Sequence, residues 1–178
     1  EGLDRQAAIV AAMSEAQRLE GAVRTAEWVN VDIGEMLGHS AEASRSVHPG
    51  RLIKLEVPEE PVELHCAPEL LIQALDKLVD NAVSLSADEC EISIALRCVG
   101  NHCLLSVANT GTRLPDTLHE NLFDSLVSLR DKKAGRSHLG LGLHIVKLVA
   151  EAHGGSVSAR NLPSDEGVEF TIRLALQP

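Results

Sequence analysis

The stretch Leu139-Gly140-Leu141-Gly142-Leu143-His144-Ile145-Val146-Lys147 decides the reading of this chain: a paired-glycine turn that runs directly into an amphipathic helix. Glycines at Gly140 and Gly142 leave the backbone bare where it enters the helix. Unpaired N–H groups and the positive end of the helix dipole can then face an anion. This is phosphate-binding chemistry, although a glycine before a helix is also an ordinary turn. The helix is expected over Gly142–Ala152, ended by Gly154-Gly155.

Working outward, Pro68 stands where a helix can start. Leu70, Leu71, Ala74, Leu75, Leu78, Val79 and Ala82 then give a strong helical period through Ser84. Cys90–Cys98 and Cys103–Ala108 alternate around Gly100-Asn101 and predict a hairpin. Leu52–Val57 and Val62–His65 are short strand candidates, and Ser156–Arg160 and Val168–Leu176 are the closing strands. Strands with helices placed between them make an α/β sandwich with one sheet face covered by helices. The stretch from Asp124 to His138, with Arg130, Lys132, Lys133 and Arg136, has few apolar anchors and is expected to be a mobile loop, of the length that is functional or disordered.

Upstream, Ile9, Met13, Ala16, Leu19, Val23 and Ala26 draw one apolar stripe along a helix expected from Leu3 to Trp28. The stripe is Ala-rich and needs a partner, either another helix or the domain itself. A second helix is expected around Asp32–Ser46, before His48-Pro49-Gly50 breaks the chain. The expected division is therefore a helical arm and linker over residues 1–47 and one domain over 48–178.

At 178 residues and 44% hydrophobic content the chain can bury one full core. A net charge of −10 and only 2% aromatic residues argue against a nucleic-acid surface, which needs a basic stripe or stacking platforms. A nucleotide remains compatible, because a few local donors can hold one against an unfavourable global charge. The four cysteines form no C-x-x-C pair; Cys90 and Cys98 share the parity of Ile92, Ile94 and Leu96 and are expected in the core, reduced. No apolar run approaches the about 20 residues of a membrane span, and the chain is expected to be a soluble piece of a longer protein.

Four segments in order carry a family resemblance: Leu78-Val79-Asp80-Asn81-Ala82, Val107-Ala108-Asn109-Thr110-Gly111, Leu122-Phe123-Asp124-Ser125-Leu126 and Gly140-Leu141-Gly142-Leu143. They resemble the N box, first glycine box, F box and second glycine box of the catalytic ATP-binding domain of sensor histidine kinases, in the GHKL superfamily. The likeness covers roughly Leu52 to Leu176. It implies an α+β, two-layer sandwich of the Bergerat type with a mixed sheet, and ATP bound between the helices under a lid. It also implies that the arm is similar to the second helix of a dimerisation and phosphoacceptor hairpin.

The site implied by the resemblance comprises Lys77, Asn81, Asn109, Gly111, Arg130, Lys132, Lys133, Gly140, Leu141, Gly142 and Leu143, with ATP and Mg²⁺ as ligands. The Asn81 amide oxygen can take one place in the octahedral shell of Mg²⁺; a helix-capping Asn is the competing reading. Asn109 can read the adenine edge, and Gly111 lets the base approach the backbone. Phe123 is an apolar plug, either lid hinge or plain core, and the lysines and Arg130 can neutralise phosphates or lie solvated.

The chain also departs from the family pattern. Asn109 replaces the Asp that accepts a bond from the adenine amino group, and losing that charge costs about 1 kcal/mol of binding. Arg113 and His138 stand where glycines are usual, Lys77 where an Asn is usual, and Val168-Glu169 in the closing Gly-Thr-x-Phe segment. In ATP-hydrolysing members a Glu near position 77 activates water, and Lys77 cannot serve as that base. None of the eight histidines has the phosphoacceptor context, so this chain alone is not expected to autophosphorylate.

The resulting expectation is the catalytic fragment of a two-component sensor histidine kinase. It would transfer the γ-phosphate to a protein histidine upstream of residue 1. A response-regulator receiver domain would be its partner, with a homodimer through the N-terminal helix, a cytoplasmic location, a possibly membrane-anchored parent and no nucleic acid. The alternatives are a pseudokinase or dimerisation module of the same fold, and an anti-sigma-type serine kinase, against which the long arm counts.

Overall fold

The computed structural model describes residues 2–111, 113–114, 122–124, 141–163 and 166–176. Four helices and seven strands follow in the order α1 (Gly2–Thr25), β1 (Val29–Asp32), α2 (Ile33–Val47), β2 (Leu52–Glu56), β3 (Glu63–Cys66), α3 (Pro68–Leu85), β4 (Glu91–Val99), β5 (His102–Thr110), α4 (Leu141–Ala152), β6 (Ser156–Asn161) and β7 (Gly167–Ala175). A five-stranded sheet of order β2-β4-β5-β7-β6 is mixed: β2 runs parallel to β4, and the other pairs are antiparallel. The expected two-layer α+β sandwich is the one observed.

The layers follow from the period of each element. On β4, β5 and β7, alternate residues Ile92, Ile94, Leu96, Cys103, Leu105, Val107, Val168, Phe170, Ile172 and Leu174 are buried. They meet the apolar stripes of α2, α3 and α4, from Ile33 and Leu37 through Leu71, Leu75 and Leu78 to Val146 and Val149, in one continuous core. The predicted hairpin turn holds at Gly100, whose φ of 57° is the left-handed region that glycine enters freely.

Three expectations differ. The division at residues 47 and 48 does not fall at a break in the packing. Ile33, Leu37 and Ala41 of α2 are fully buried in the same core as α3, and β1, absent from the sequence reading, pairs antiparallel with β3. Asp32 fixes this junction, its carboxylate accepting from Gly34 N–H (2.9 Å) as the cap of α2 and from Val62 N–H (3.2 Å). The arm helix, in turn, stops at Thr25 and leaves Trp28 outside it.

The third difference is Cys98, which is exposed, while Cys90 is half-buried and Cys66 and Cys103 are buried; all four are free. Cys98 keeps the parity of Leu96 but stands at an uncovered edge of the sheet. β2 pairs β4 only from Glu91 to Ala95, so among the described residues Arg97 to Val99 have no paired strand on that side. Burial in apolar surroundings pushes the Cys66 and Cys103 thiols up to about 11.

The later half of the arm folds back on the domain. Leu19 is buried, and Ala22, Val23 and Ala26 pack on the core beside α4, whereas Val10 and Met13 are exposed. No helix among the described residues is long and apolar enough to cross a membrane.

Candidate functional site

Lys77 and Asn81 sit four residues apart on α3, one turn above the other on the same face. Leu78 and Ala82 turn into the core and fix that face's direction. The helix is anchored at both ends. Pro68 opens it, and the Arg51 guanidinium, which the sequence reading missed, donates to the carbonyls of Val83 (3.0 Å) and Ser86 (3.2 Å) at its close. Asn81 Nδ2 is buried and has no hydrogen-bond partner among the described residues. A half-turn of the amide exchanges Nδ2 and Oδ1 at nearly the same points, so Asn81 can offer either a donor or an acceptor there.

α4 begins at Leu141, with Gly142 in its first turn. A Cβ on Gly142 would lie 3.9 Å from Lys77 Cβ and Cδ, so the bare entry of α4 faces the Lys77 side chain directly. Leu143 is buried and Leu141 half-buried, which anchors the turn while its leading amides keep no intrahelical partner. Gly140, Arg130, Lys132 and Lys133, and also Ser125, Leu126 and His138, lie outside the described residues.

A second group lies two turns further along α3. Gly111 has a φ of 118°, donates to Glu166 O (2.8 Å), and a Cβ there would stand 3.7 Å from Leu85 O and Ser86 Cα. Beside it Asn109 is 1% exposed. Its Nδ2 donates to Thr110 O (3.2 Å), and its buried Oδ1 has no partner among the described residues. Val168 faces Asn109 across the β5–β7 ladder, and Gly167 presses so close that a Cβ would fall 2.1 Å from Asn109 O. Glu169 points to the opposite face of the sheet, where Arg160 Nε donates to it at 2.5 Å. Lys77 and Leu85 are eight residues apart on one helix, about 12 Å, so the two groups line a single track along α3.

The F-box residues dock on α4. Leu122 and Phe123 are buried, Phe123 meets Phe170 edge to face at 6.3 Å, and Asp124 accepts from Lys147 Nζ at 2.8 Å. Within this exposed pair the hydrogen bond to Lys147 holds Asp124 below the ordinary carboxylate value and raises Lys147. His144 Nδ1 lies 3.3 Å from Phe123 O. Lys147 and His144, three residues apart on one helix face, are the signal by which the sequence could have shown this docking.

His153 ends α4 and also ties it to α3. Its Nδ1 bonds Val149 O (2.8 Å), its Nε2 accepts Ala67 N–H (3.1 Å) at the start of α3, and Trp28 covers the ring at 4.7 Å. Burial lowers its pKa below 6.5.

No cluster of three His, Cys, Asp or Glu that could hold a metal occurs among the described residues. The residues present still fit Mg²⁺: a single amide oxygen from Asn81 suffices where phosphate oxygens and waters complete an octahedron.

The family model of histidine kinase-, DNA gyrase B-, and HSP90-like ATPases matches residues 66–178. Sensor protein CreC of Escherichia coli (strain K12) is 31% identical over 144 residues, covering 81% of this chain and 30% of CreC. Sensor protein KdpD of the same organism is 29% identical over 153 residues, covering 85% of this chain and 16% of KdpD. Among solved structures, the mycobacterial sensor histidine kinase MprB superposes with a TM-score of 0.73 at 23% identity, covering 84% of this chain and 99% of that one. That likeness establishes the fold, and the chain spans less than a third of the length of CreC or KdpD.

Proposed function

The chain belongs to the histidine kinase-, DNA gyrase B-, and HSP90-like ATPases, and from that premise we propose that it is the ATP-binding catalytic part of a two-component sensor histidine kinase. The observation that carries the proposal is the track along α3. It has a cation and a bare helix entry at one end, a buried acceptor without a partner among the described residues at the other, and Asn81 between them.

Each residue then has a task. The Asn109 Oδ1 accepts from the 6-amino group of adenine, and Gly111 admits the ring edge. Lys77 and the first amides of α4 take the phosphates, and Gly140, Arg130, Lys132 and Lys133 are assigned to the same phosphates by their chemistry alone. Asn81 holds Mg²⁺ through its amide oxygen; the metal supplies neutralisation of phosphate charge. Phosphoryl transfer asks mainly for such positioning and charge stabilisation. The accepting histidine lies on a segment upstream of residue 1, and a response-regulator receiver domain takes the phosphate onward.

The parent protein is a homodimer through the exposed upstream part of α1, anchored at a membrane with this part in the cytoplasm. Because β1 and α2 share the core of the domain, we draw the boundary of the arm between Ala26 and Trp28.

A fluorescent ATP analogue with Mg²⁺ tests the reading. Binding to the wild-type chain should weaken by about tenfold or more in Asn81→Ala. Absence of binding at millimolar nucleotide would leave the pseudokinase or dimerisation module as the function. With the upstream helix restored, acid-labile, base-stable phosphate is the product expected of a histidine kinase.

A further inference from the structure

The chain that leaves β5 at Gly111 is caught twice by the β6–β7 pair. Glu166 O accepts the Gly111 N–H at 2.8 Å. Three residues on, the Asn161 side chain takes both backbone groups of Leu114: its Oδ1 accepts Leu114 N–H at 2.7 Å, and its Nδ2 donates to Leu114 O at 3.0 Å. A primary carboxamide carries the same acceptor and donor as a peptide bond, so Asn161 pairs with Leu114 as one more residue of strand would. Only one orientation of the amide satisfies both contacts.

Strand register puts Asn161 at the end of the track assigned to the base. Asn161 stands opposite Val168 on β7, and Val168 stands opposite Asn109 on β5, so the three form one row across the sheet and share its helix-facing side. β5 and β6 lie two strand spacings apart, about 10 Å, and by Leu114 the chain from β5 has crossed the end of β7 to reach β6. Leu114 itself is 1% exposed, its side chain part of the core. We propose that Asn161 is a positioning residue for the base: by holding the Leu114 main chain at both its N–H and its C=O, it fixes the wall that bounds the row of Asn109 and Val168. The inference rests on the nucleotide reading above and adds to it a residue that touches no ligand. Lys77 and Gly142 stand at the other end of the track, so the phosphates are held independently of this clasp.

The test sets Mg²⁺-complexed ATP against Mg²⁺-complexed tripolyphosphate, which has the phosphates and no base. Each displaces a ribose-labelled fluorescent ATP analogue from the full chain. In Asn161→Ala the affinity for ATP should fall by about tenfold, the effect of two neutral hydrogen bonds, while that for tripolyphosphate stays within about twofold. Asn161→Asp keeps the shape and the acceptor but sets an oxygen against Leu114 O, and should show the same selective loss. In the wild-type chain, ATP and not tripolyphosphate should slow amide hydrogen exchange at Leu114.

Equal losses for both ligands would make Asn161 a general support of the fold, and an unchanged ATP affinity in Asn161→Ala would leave it no part in binding. Either result overturns the inference while leaving the nucleotide site standing. Exchange at Leu114 that responds alike to ATP and tripolyphosphate would overturn it even where neither variant folds. Failure of the wild-type chain to take either ligand at millimolar concentration would remove the site itself.

Discussion

The two ends of the track along α3 are built from different materials. At the end proposed for the base the walls are mostly backbone: Gly167 would put a Cβ 2.1 Å from Asn109 O, and Gly111 sits at a φ of 118° beside Leu85 O, Ser86 Cα and the Cys90 sulfur. At the phosphate end the walls are side chains and a helix entry, and the nearest atoms to a Cβ on Gly142 are those of Lys77 at an ordinary 3.9 Å. A flat base is recognised by shape, which demands fixed walls. A triphosphate is held by charge and by donors that reach across space, which tolerates slack. The contrast predicts that equal substitutions have unequal effects.

The largest effect should come from Gly167→Ala. The added methyl cannot be accommodated without separating β5 from β7, so stability should fall by about 3 kcal/mol, or roughly 10 °C in Tm. A thermal melt of this variant indistinguishable from wild type would mean that the base end has the give of the other end, and the contrast would be lost.

Next in size is the acid response of the α3–α4 pair that carries the phosphate end. His153 is neutral in the fold, with Nε2 accepting from Ala67 N–H, and its pKa lies below 6.5 because of burial, opposed by its bond to Val149 O. Between its folded pKa and 6.5 the unfolded chain binds more protons than the folded one, so the stabilising contribution is complete above pH 6.5 and is lost as the pH falls below it. The slope has a ceiling of about 1.4 kcal/mol per pH unit, and partial exposure reduces it. In His153→Gln, which cannot titrate, this part of the pH dependence should vanish. An identical slope in denaturant melts between pH 7 and 5 would assign the effect to other groups.

The smallest change in stability is expected for Gly142→Ala. The methyl meets only ordinary contacts, and alanine favours a helix over glycine by about 0.5–1 kcal/mol, so Tm should stay level or rise by a few degrees. Nucleotide affinity should move the other way, because the methyl stands over the helix entry. A variant both destabilised and unaltered in affinity would show that Gly142 serves packing and not the phosphates.

Thiol labelling sharpens the same contrast at no structural cost. At pH 7.5 an alkylating reagent should take Cys98 in the folded chain, whereas Cys66 and Cys103, buried with pKa values near 11, should react only after denaturation.

What was legible in the sequence follows the reach of its signals. α3, α4 and the β4–β5 hairpin are written locally, in apolar periods and in Gly100-Asn101. The residues proposed for the site on those elements could therefore be named from the sequence: Lys77, Asn81, Asn109, Gly111 and Gly142. β1 escaped because Val29–Asp32 is four residues long, abuts α2, and owes its existence to β3 more than thirty residues away. Arg51 and His153 escaped for the same reason, since each closes or ties a helix end 32 to 86 residues distant. Residue type told that Asn109 could accept a bond. Only the Thr110 contact tells which end of the amide is committed and which is free.

Trp28, tilted against the His153 ring, doubles as an optical reporter. It is the single tryptophan of a chain without tyrosine, and it stands where the arm joins the body. Its emission is therefore a native optical gauge of that joint. A swing of the arm away from α4 would separate indole from imidazole and change the signal, with no dye attached.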